Sequence, residues 1–572
     1  METPCGDTGG RPGAPELVYN VVHLVQATRS NLFGESAREF CKGPEFVQQG
    51  CTQMKKSRAV LCLSAAVLFT VASLGCGSGN FTPPLSAVAQ TSHPLVAQYS
   101  VMQVQQGTSV WVEFGPDTNY GRQTSVTTAT SPGPQTVPIL VAGMKPQTAY
   151  HMRAHATWTG GSWVDQDQTF TTGALPSSEP PPAFQVASLP PVPGVTPAPG
   201  VELLDVLSLT GAHMLQAVAL DLQGNVIWYC PQGTIPIKLM PNGHFILNTG
   251  TDLVEVDLTC STIRDVSVTQ VNESLQANGY DFTIPPPLGL PGGSPFHHDV
   301  LVLPNGDWIG LCQITKTFPN LTGYPNPTQV VGDALVDIDL NGNVVWAWNS
   351  FDYLDPNRHP YFGLPDWTHS NAIVYTPDGN LLLSMRAQSW VLKLDYANGT
   401  GAGDILWQLG PSLPGDVGNF FTLSGGDPTQ WFYSQHYPNL LSMNGPELTL
   451  AVMDNGDYRT DSSGVQCETT PTAPACYSRA AIFQVDESTY VASVLWEDLP
   501  GFYSTWGGSA GVLSNGNVEF DMTTLNGAQA SQIMEVTQTG SPQTVWQLNI
   551  TGENAYRGFR IPSLYPGVTW QQ

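Results

Sequence analysis

The sequence predicts an all-β protein, a six-bladed β-propeller preceded by a small β-sandwich. Three observations predict it. The 572-residue chain is rich in turn formers and aromatics, with 57 Gly, 48 Pro, 15 Trp and 19 Tyr. A unit recurs from residue 240 onward: a Pro-Asn-Gly-like turn, an apolar strand, a strand ending in Asp, a second turn, and a strand carrying Trp. Finally, a partial unit at Ala217–Tyr229 (AVALDLQGNVIWY) lacks strands that the chain end (YRGFRIPSLY) can supply. A propeller closes in this way, its first blade completed from both ends of the domain.

The five whole units are MPNGHFIL with LVEVDL; LPNGDWIGL with ALVDIDLNGNVVWAW; TPDGNLLLS with VLKLDYANGTGAGDILWQL; SMNGPELTLAVM with AAIFQVDESTYVASVLWEDL; and LSNGNVEFD with IMEVTQTGSPQTVWQL. Their period is about 70, against roughly 40–45 for WD repeats, so long loops must decorate the faces. The propeller is assigned 201–572 and the sandwich 95–175. In the sandwich, Leu140–Tyr150 (LVAGMKPQTAY) resembles the late corner of a fibronectin type III domain, where a Tyr hydroxyl ties the corner to nearby backbone. His151 and His155 are read there as strand residues without chemistry. Residues 77–94 read as a spacer, and the Pro-rich 176–200 as a semi-rigid linker or strap.

Residues 54–76 read as a signal peptide: a basic Met54-Lys55-Lys56-Ser57-Arg58, then AVLCLSAAVLFTVASLG. Cys76-Gly77-Ser78-Gly79 resembles a bacterial lipoprotein processing site, although Ser73 stands where leucine is usual. Ordinary signal peptidase cleavage is the alternative. Met54 is the expected true start, with 1–53 an over-extended or disordered extension. The expected location is therefore periplasmic or outer-membrane-anchored. Export permits disulfides. Cys467 and Cys476, flanking a Thr/Pro-rich loop, are the first choice, Cys230 with Cys260 the second, and Cys312 reads as a buried free thiol.

Charge narrows the function. Lys+Arg number 20 against 46 Asp+Glu, a net −26, and charged residues are 12% of the chain. A typical soluble protein has about 25%. No nucleic-acid surface is expected, because phosphate binding needs clustered cations. After residue 200 lysine falls to Lys238, Lys316 and Lys393, so a positive side chain such as Arg386 is scarce.

The chemistry gathers around Asp366–Asp395, which reads as three strands: Ile373–Tyr375, Leu381–Met385 and Val391–Leu394. The first two are antiparallel, so His369 and Arg386 should meet at one rim. Histidines precede the first strand of three units: Phe296-His297-His298-Asp299, Thr368-His369-Ser370-Asn371 and Gln435-His436-Tyr437-Pro438. Innermost strands line a propeller's channel, so these histidines should converge. His213, His244 and His359 do not share the position and read as structural.

HHD–LPNG, HSNAI–Y–DG–LLLSMR–QS, QH and Asp454-Asn455-Gly456-Asp457-Tyr458-Arg459 resemble the bacterial arylsulfate sulfotransferases across roughly 200–572. The resemblance implies an exported enzyme with an N-terminal β-sandwich and no nucleotide sulfate donor. It makes His436 the nucleophile that becomes sulfated, through a ping-pong route. His369 and Arg386 bind the sulfuryl group, with Asn371 in the same site. His297 and His298 both remain candidates for a further catalytic histidine. Cys467–Cys476 is where the family's active-site-proximal disulfide would be sought. The implied partners are an aromatic sulfate donor and a phenolic acceptor. No cofactor or metal is implied. A lipid anchor and a homodimer are further partner expectations.

The residue types suit the chemistry. Sulfuryl transfer needs an in-line nucleophile, cations at the equatorial oxygens and help for the departing phenolate, as in phosphoryl transfer. Neutral imidazole supplies the first, a planar guanidinium the second and a protonated histidine the third. Trp367, Trp431, Tyr433 and Trp506 could stack on aryl rings or pack between blades. Asp454, Asn455 and Asp457 read as a tight turn rather than a calcium loop, with Arg459 reaching the channel as a substrate-binding residue or a neighbouring blade. Two competing readings stand. One is a metal-dependent hydrolase or lyase using the histidines with Asp299. The other is a non-catalytic binding propeller displayed on the cell surface.

Overall fold

Antiparallel pairing set by short turns runs through the chain. A computed structural model describes residues 84–176, 183–207, 215–232, 237–288, 294–359, 361, 363–460, 464–467 and 476–571. The expectations for 1–53, for the signal peptide at 54–76 and for His213 lie outside those residues.

The N-terminal β layers are two sheets. One pairs Leu85–Gln90, Ala97–Val104 and Gln135–Val141; the other is built on Ser109–Gly115 and Ala149–Trp158. Alternate residues point inward, as the two-residue period of a strand requires. Val110, Val112 and Phe114 are buried against Ala97, Tyr99 and Val101. The Tyr150 hydroxyl accepts from the Lys145 N–H at 3.0 Å, closing the corner. His151 pairs with Asp167 and His155 with Glu113. One strand, Leu85–Gln90, falls inside the stretch expected to be spacer. It is an edge strand with four of its six residues exposed, held by the ladder to Ala97–Met102, so its hydrophobic alternation is faint.

Six sheets follow among the described residues, antiparallel except that the short Thr422–Leu423 pairs parallel on the outer edge of the fifth. In chain order their strands are Val201–Leu207, Ala217–Leu220 and Val226–Cys230; Ile237–Leu239, Phe245–Asn248, Asp252–Val256 and Thr262–Ser267; Phe296–Val302, Trp308–Phe318, Thr328–Ile338 and Val344–Asn349; Ser370–Tyr375, Leu381–Met385, Trp390–Leu394 and Ile405–Leu409; His436–Asn444, Glu447–Asp454, Arg479–Asp486 and Val491–Asp498; and Ala510–Val512, Val518–Met522, Ala530–Val536 and Thr544–Thr551. The last long strand, Asn554–Ile561, returns to pair with Val201–Leu207 and completes the first sheet. From the Pro-rich stretch, Ala183–Val186 adds an outer strand to the sixth sheet, and the Ala198 N–H donates to Glu535. Ala183–Val186 and Ala198 of the stretch therefore lie against that sheet.

The recurring tryptophans tie each sheet to the next. Trp228 Nε1 donates to Leu258 O at 2.8 Å, Trp346 to Gly401 O at 3.0 Å, Trp407 to Glu487 Oε1 at 2.7 Å, and Trp496 to Thr539 O at 3.0 Å. Trp546 of the sixth sheet donates to Leu222 O of the first, at 3.0 Å, so the series runs in a circle. The second sheet has no tryptophan in its outer strand, and Arg264 takes the role, donating to Asp339 O. Its guanidinium also lies 3.7 Å over the Trp308 ring. Each such bond contributes about 1 kcal/mol net. A Cys230–Cys260 disulfide joins the first two sheets, Cys467–Cys476 closes the loop after Arg459, and Cys312 is a buried thiol.

Candidate active site

Three inner strands bring the histidines together. Phe296–Val302, Ser370–Tyr375 and His436–Asn444 are the first strands of the third, fourth and fifth sheets, and neighbouring ones touch. In each, the ladder slips near the histidine: between Phe296 and Val300, Ser370 and Ala372, and His436 and Asn439. Bulges re-aim side chains in this way. His298 and His369 also hold positive φ values of 55° and 46°. Such a conformation costs a non-glycine residue about 1–3 kcal/mol. The local sequence therefore tolerates strain where the imidazoles must turn inward.

The His297 and His298 Nδ1 atoms lie 2.5 Å apart, so one N–H donates to the other's lone pair. The other nitrogen of His297, Nε2, is 3.3 Å from Asp333 Oδ1. Asp333 Oδ2 accepts from the Ser370 N–H at 2.6 Å. Burial would raise the Asp333 carboxyl, but bonds from His297, Ser370 and Thr368 outweigh it and hold the group below the usual range. The His298 ring meets the His369 ring edge-on at 4.7 Å. His369 Nδ1 is bonded to the Asp366 carboxylate. The Arg386 N–H donates to His369 O at 3.1 Å, which joins the rim as the antiparallel pairing requires.

His436 faces this group from the fifth sheet. Asn455 fixes its tautomer. The amide nitrogen of Asn455 donates to Ser504 O at 2.8 Å and Gly507 O at 3.0 Å, so Oδ1 must accept. It accepts from His436 Nδ1 at 2.7 Å. The proton therefore sits on Nδ1, and Nε2 carries the lone pair, met by the Gly507 N–H at 3.3 Å. Burial pushes the His436 imidazole well below its ordinary value, and the charges of Arg386 and Arg557 push the same way. His298 is depressed likewise, by burial first and then by its neighbouring imidazoles. Both are neutral near pH 7.

Two guanidiniums stand close enough to act on His436. Arg386 Nη2 donates to Thr505 O at 3.0 Å and lies 3.3 Å from Asp457 Oδ2. Asp457 is held in turn by the Tyr503 hydroxyl at 2.6 Å. Arg557, on the closing strand, donates through Nη2 to Asn371 O at 2.9 Å. Asn371 Nδ2 donates to Gln435 O at 2.7 Å, tying the fourth sheet to the fifth. Among the described residues, His298 Nε2, Asn371 Oδ1, and Arg557 Nε and Nη1 are buried without a hydrogen-bond partner. Buried polar atoms normally have one, so the Arg557 N–H groups, and His298 Nε2 when it carries a proton, are suited to a ligand rich in acceptor oxygens, while Asn371 Oδ1 is suited to a donor.

Several expected residues lie elsewhere. Arg459 is not turned into this group. Its guanidinium pairs with Asp454, donates to Tyr477 O at 2.9 Å and covers the Tyr477 ring at 4.1 Å. Asp454 also binds Arg479, so the turn's first carboxylate is neutralised by arginine. Asp299 is absorbed as well: it accepts from Lys238 at 2.6 Å, from the Val300 N–H and from the Ile373 N–H, which leaves it no part in a metal site. Trp367 and Trp431 are buried packing residues, Tyr433 nearly so, while Trp506 is half-buried and stacks on Tyr556. Sequence reasoning missed Arg557, Asp333 and Asp366, and read Asn455 only as a turn former. Arg557 had a signal in the scarcity of cations on the strand that closes the first sheet.

An all-β protein whose buried imidazoles and guanidiniums converge at the inner ends of successive sheets is equipped to handle an anion. A family model for arylsulfotransferases (ASST) matches residues 196–558, more than half of the chain, and the chain belongs to that family. No curated protein matches the chain. Among solved structures, a protein from Lactobacillus plantarum is 9% identical with a TM-score of 0.33, covering 64% of this chain and 99% of its own. A duf4221 family member from Bacteroides vulgatus is 7% identical with a TM-score of 0.30, covering 66% and 99%. A Synechocystis apocarotenoid oxygenase is 10% identical with a TM-score of 0.26, covering 84% and 96%. At such scores these likenesses carry no argument about this chain.

Proposed function

We propose that the protein moves a sulfuryl group from an aryl sulfate ester to a phenolic acceptor in two displacements, through a sulfohistidine at His436. Family membership supports arylsulfotransferase activity. The observation that carries the finer reading is the His436 tautomer: Nδ1–H is committed to Asn455, and the Nε2 lone pair is neutral and buried among Arg386, Arg557 and His369. Nε2 attacks sulfur, the phenolate leaves, and the N-sulfo ring keeps its Nδ1–H on Asn455. A phenol then attacks the same sulfur and restores the lone pair. Arg386, Arg557 and His369 hold the sulfuryl oxygens, and Asn371 stands in the same site, tied to Gln435 O. Neither step uses a nucleotide donor.

The six sheets are the blades of a propeller in this reading, supported by the circular series of inter-sheet bonds and by closure through Asn554–Ile561. Export to the periplasm or outer membrane rests on the residue pattern of 54–76 alone. The test is sulfuryl transfer from 4-nitrophenyl sulfate to a second phenol. It is expected in the wild type and lost in His436→Ala. Equal nitrophenol release with and without acceptor would make the protein a sulfatase instead.

A further inference from the structure

Resting on that reading, we propose that Asp333, His297 and His298 form a proton relay serving the leaving and acceptor oxygens, with His298 Nε2 at the substrate and the positive charge held on His297. The relay follows from connectivity. The two Nδ1 atoms at 2.5 Å share one proton. His297 Nε2 faces Asp333, which is pinned by the Ser370 N–H. At the other end, His298 Nε2 has no hydrogen-bond partner among the described residues and lies in the imidazole cluster beside His369. A proton leaving His298 Nε2 can thus be replaced at Nδ1 from His297.

The arrangement answers a chemical difficulty. A lone imidazole buried among imidazoles and guanidiniums cannot easily carry a proton as a cation. In the relay His298 never becomes one. When the pair holds three protons, His297 has both nitrogens protonated and its charge rests against the Asp333 carboxylate. His298 is then neutral, with its proton on Nε2. As the S–O bond breaks, the electron pair goes to the phenolate oxygen, which takes the His298 Nε2 proton. His298 Nδ1 takes the proton from His297 Nδ1, and the His436 Nε2–S bond forms. In the second half-reaction the acceptor O–H gives its proton back to His298 Nε2, and His297 is recharged as the N–S bond breaks. Each cycle returns every proton to its start. His298 is the catalytic residue, and His297 is the positioning residue that acts through it.

The groups acting on the pair are Asp333 on His297, and His369, His436 and Arg557 on His298. Asp333 is the carboxylate in direct reach of His297. The relay matters most where the leaving phenol is weakly acidic, because such an oxygen needs its proton as the bond breaks.

The test compares sulfuryl uptake by His436 from 4-nitrophenyl sulfate and from phenyl sulfate. In His297→Gln the expected loss is a few-fold with the nitrophenyl ester and about 10²-fold with the phenyl ester, the lower end of general acid catalysis. Asp333→Asn should show the same split. An equal loss with both esters would assign His297 a structural role and overturn the relay. The wild type supplies an independent readout should the variants fail to fold. Its rate with phenyl sulfate should slow severalfold in heavy water, because a proton moves as the bond breaks, while the nitrophenyl rate does not. Equal solvent isotope effects with the two esters would overturn the relay. Absence of any sulfuryl group on wild-type His436 would instead overturn the underlying reading, and the relay with it.

Discussion

Asn455 decides what His436 can do. Its amide nitrogen is committed to two carbonyls, so its oxygen keeps the His436 proton on Nδ1 and leaves on Nε2, met only by the long bond from the Gly507 N–H, the lone pair that the proposed transfer needs. Asn455→Ala should lower sulfuryl uptake by roughly 10²-fold, the scale of a misplaced reacting group, while His436 remains buried. Arg386→Gln should cost about 10²–10³-fold, as for loss of one preorganised donor to a developing anion. The pH response follows from burial and from the charges of Arg386 and Arg557, which hold the His436 imidazole well below 6.5. A depressed value means the neutral form persists as pH falls. The uptake rate from 4-nitrophenyl sulfate should therefore stay level down through about pH 6.5, where a free imidazole is half protonated. A halving there would contradict the assigned environment. At this scale the sequence was legible in part. Repetition of a histidine at one place in three units exposed His297, His298, His369 and His436. Asn455 and Asp333 were hidden because Asn455 follows one neighbouring strand and Asp333 lies on another, and only tertiary pairing reveals the partner.

The inner strands convert those residues into a site. Sequence periodicity places Leu381–Met385 correctly and anticipates the pairing that puts Arg386 beside His369. The ladder slips at all three histidines were not legible, because a bulge adds a residue without changing composition. Arg459 was misdirected for a related reason. Counting along a turn gives no direction to a long side chain, and Asp454 captures this one. Asp299 shows how the strands are clamped. It bonds Lys238 of the second sheet and the Ile373 N–H of the fourth, from a position in the third. Asp299→Ala leaves Lys238 buried without its carboxylate, which should destabilise the fold by about 3–5 kcal/mol, measured by denaturant unfolding. A loss below 1 kcal/mol would mean the clamp carries little.

For the whole molecule, closure is the controlling feature. The first sheet takes its fourth strand, Asn554–Ile561, from the far end of the chain, and that strand also delivers Arg557 to the site. Under the proposed function, fold and activity depend on the same eight residues. A chain ending at Thr551 should lose cooperative unfolding and soluble yield, whereas Trp546→Phe should lower stability by about 1 kcal/mol and leave sulfuryl transfer intact. Closure was legible because the partial unit at Ala217–Tyr229 visibly lacked strands. The Leu85–Gln90 strand was not, since an edge strand held by backbone bonds leaves little hydrophobic trace.

The proposed transfer requires a covalent intermediate, so the most direct measurement is the mass of the intact protein after brief exposure to 4-nitrophenyl sulfate without acceptor, kept away from acid. One added sulfuryl group, mapped to His436 and discharged by a phenol, is the predicted result. Nitrophenol release with no adduct on His436, or an adduct on another residue, would contradict it.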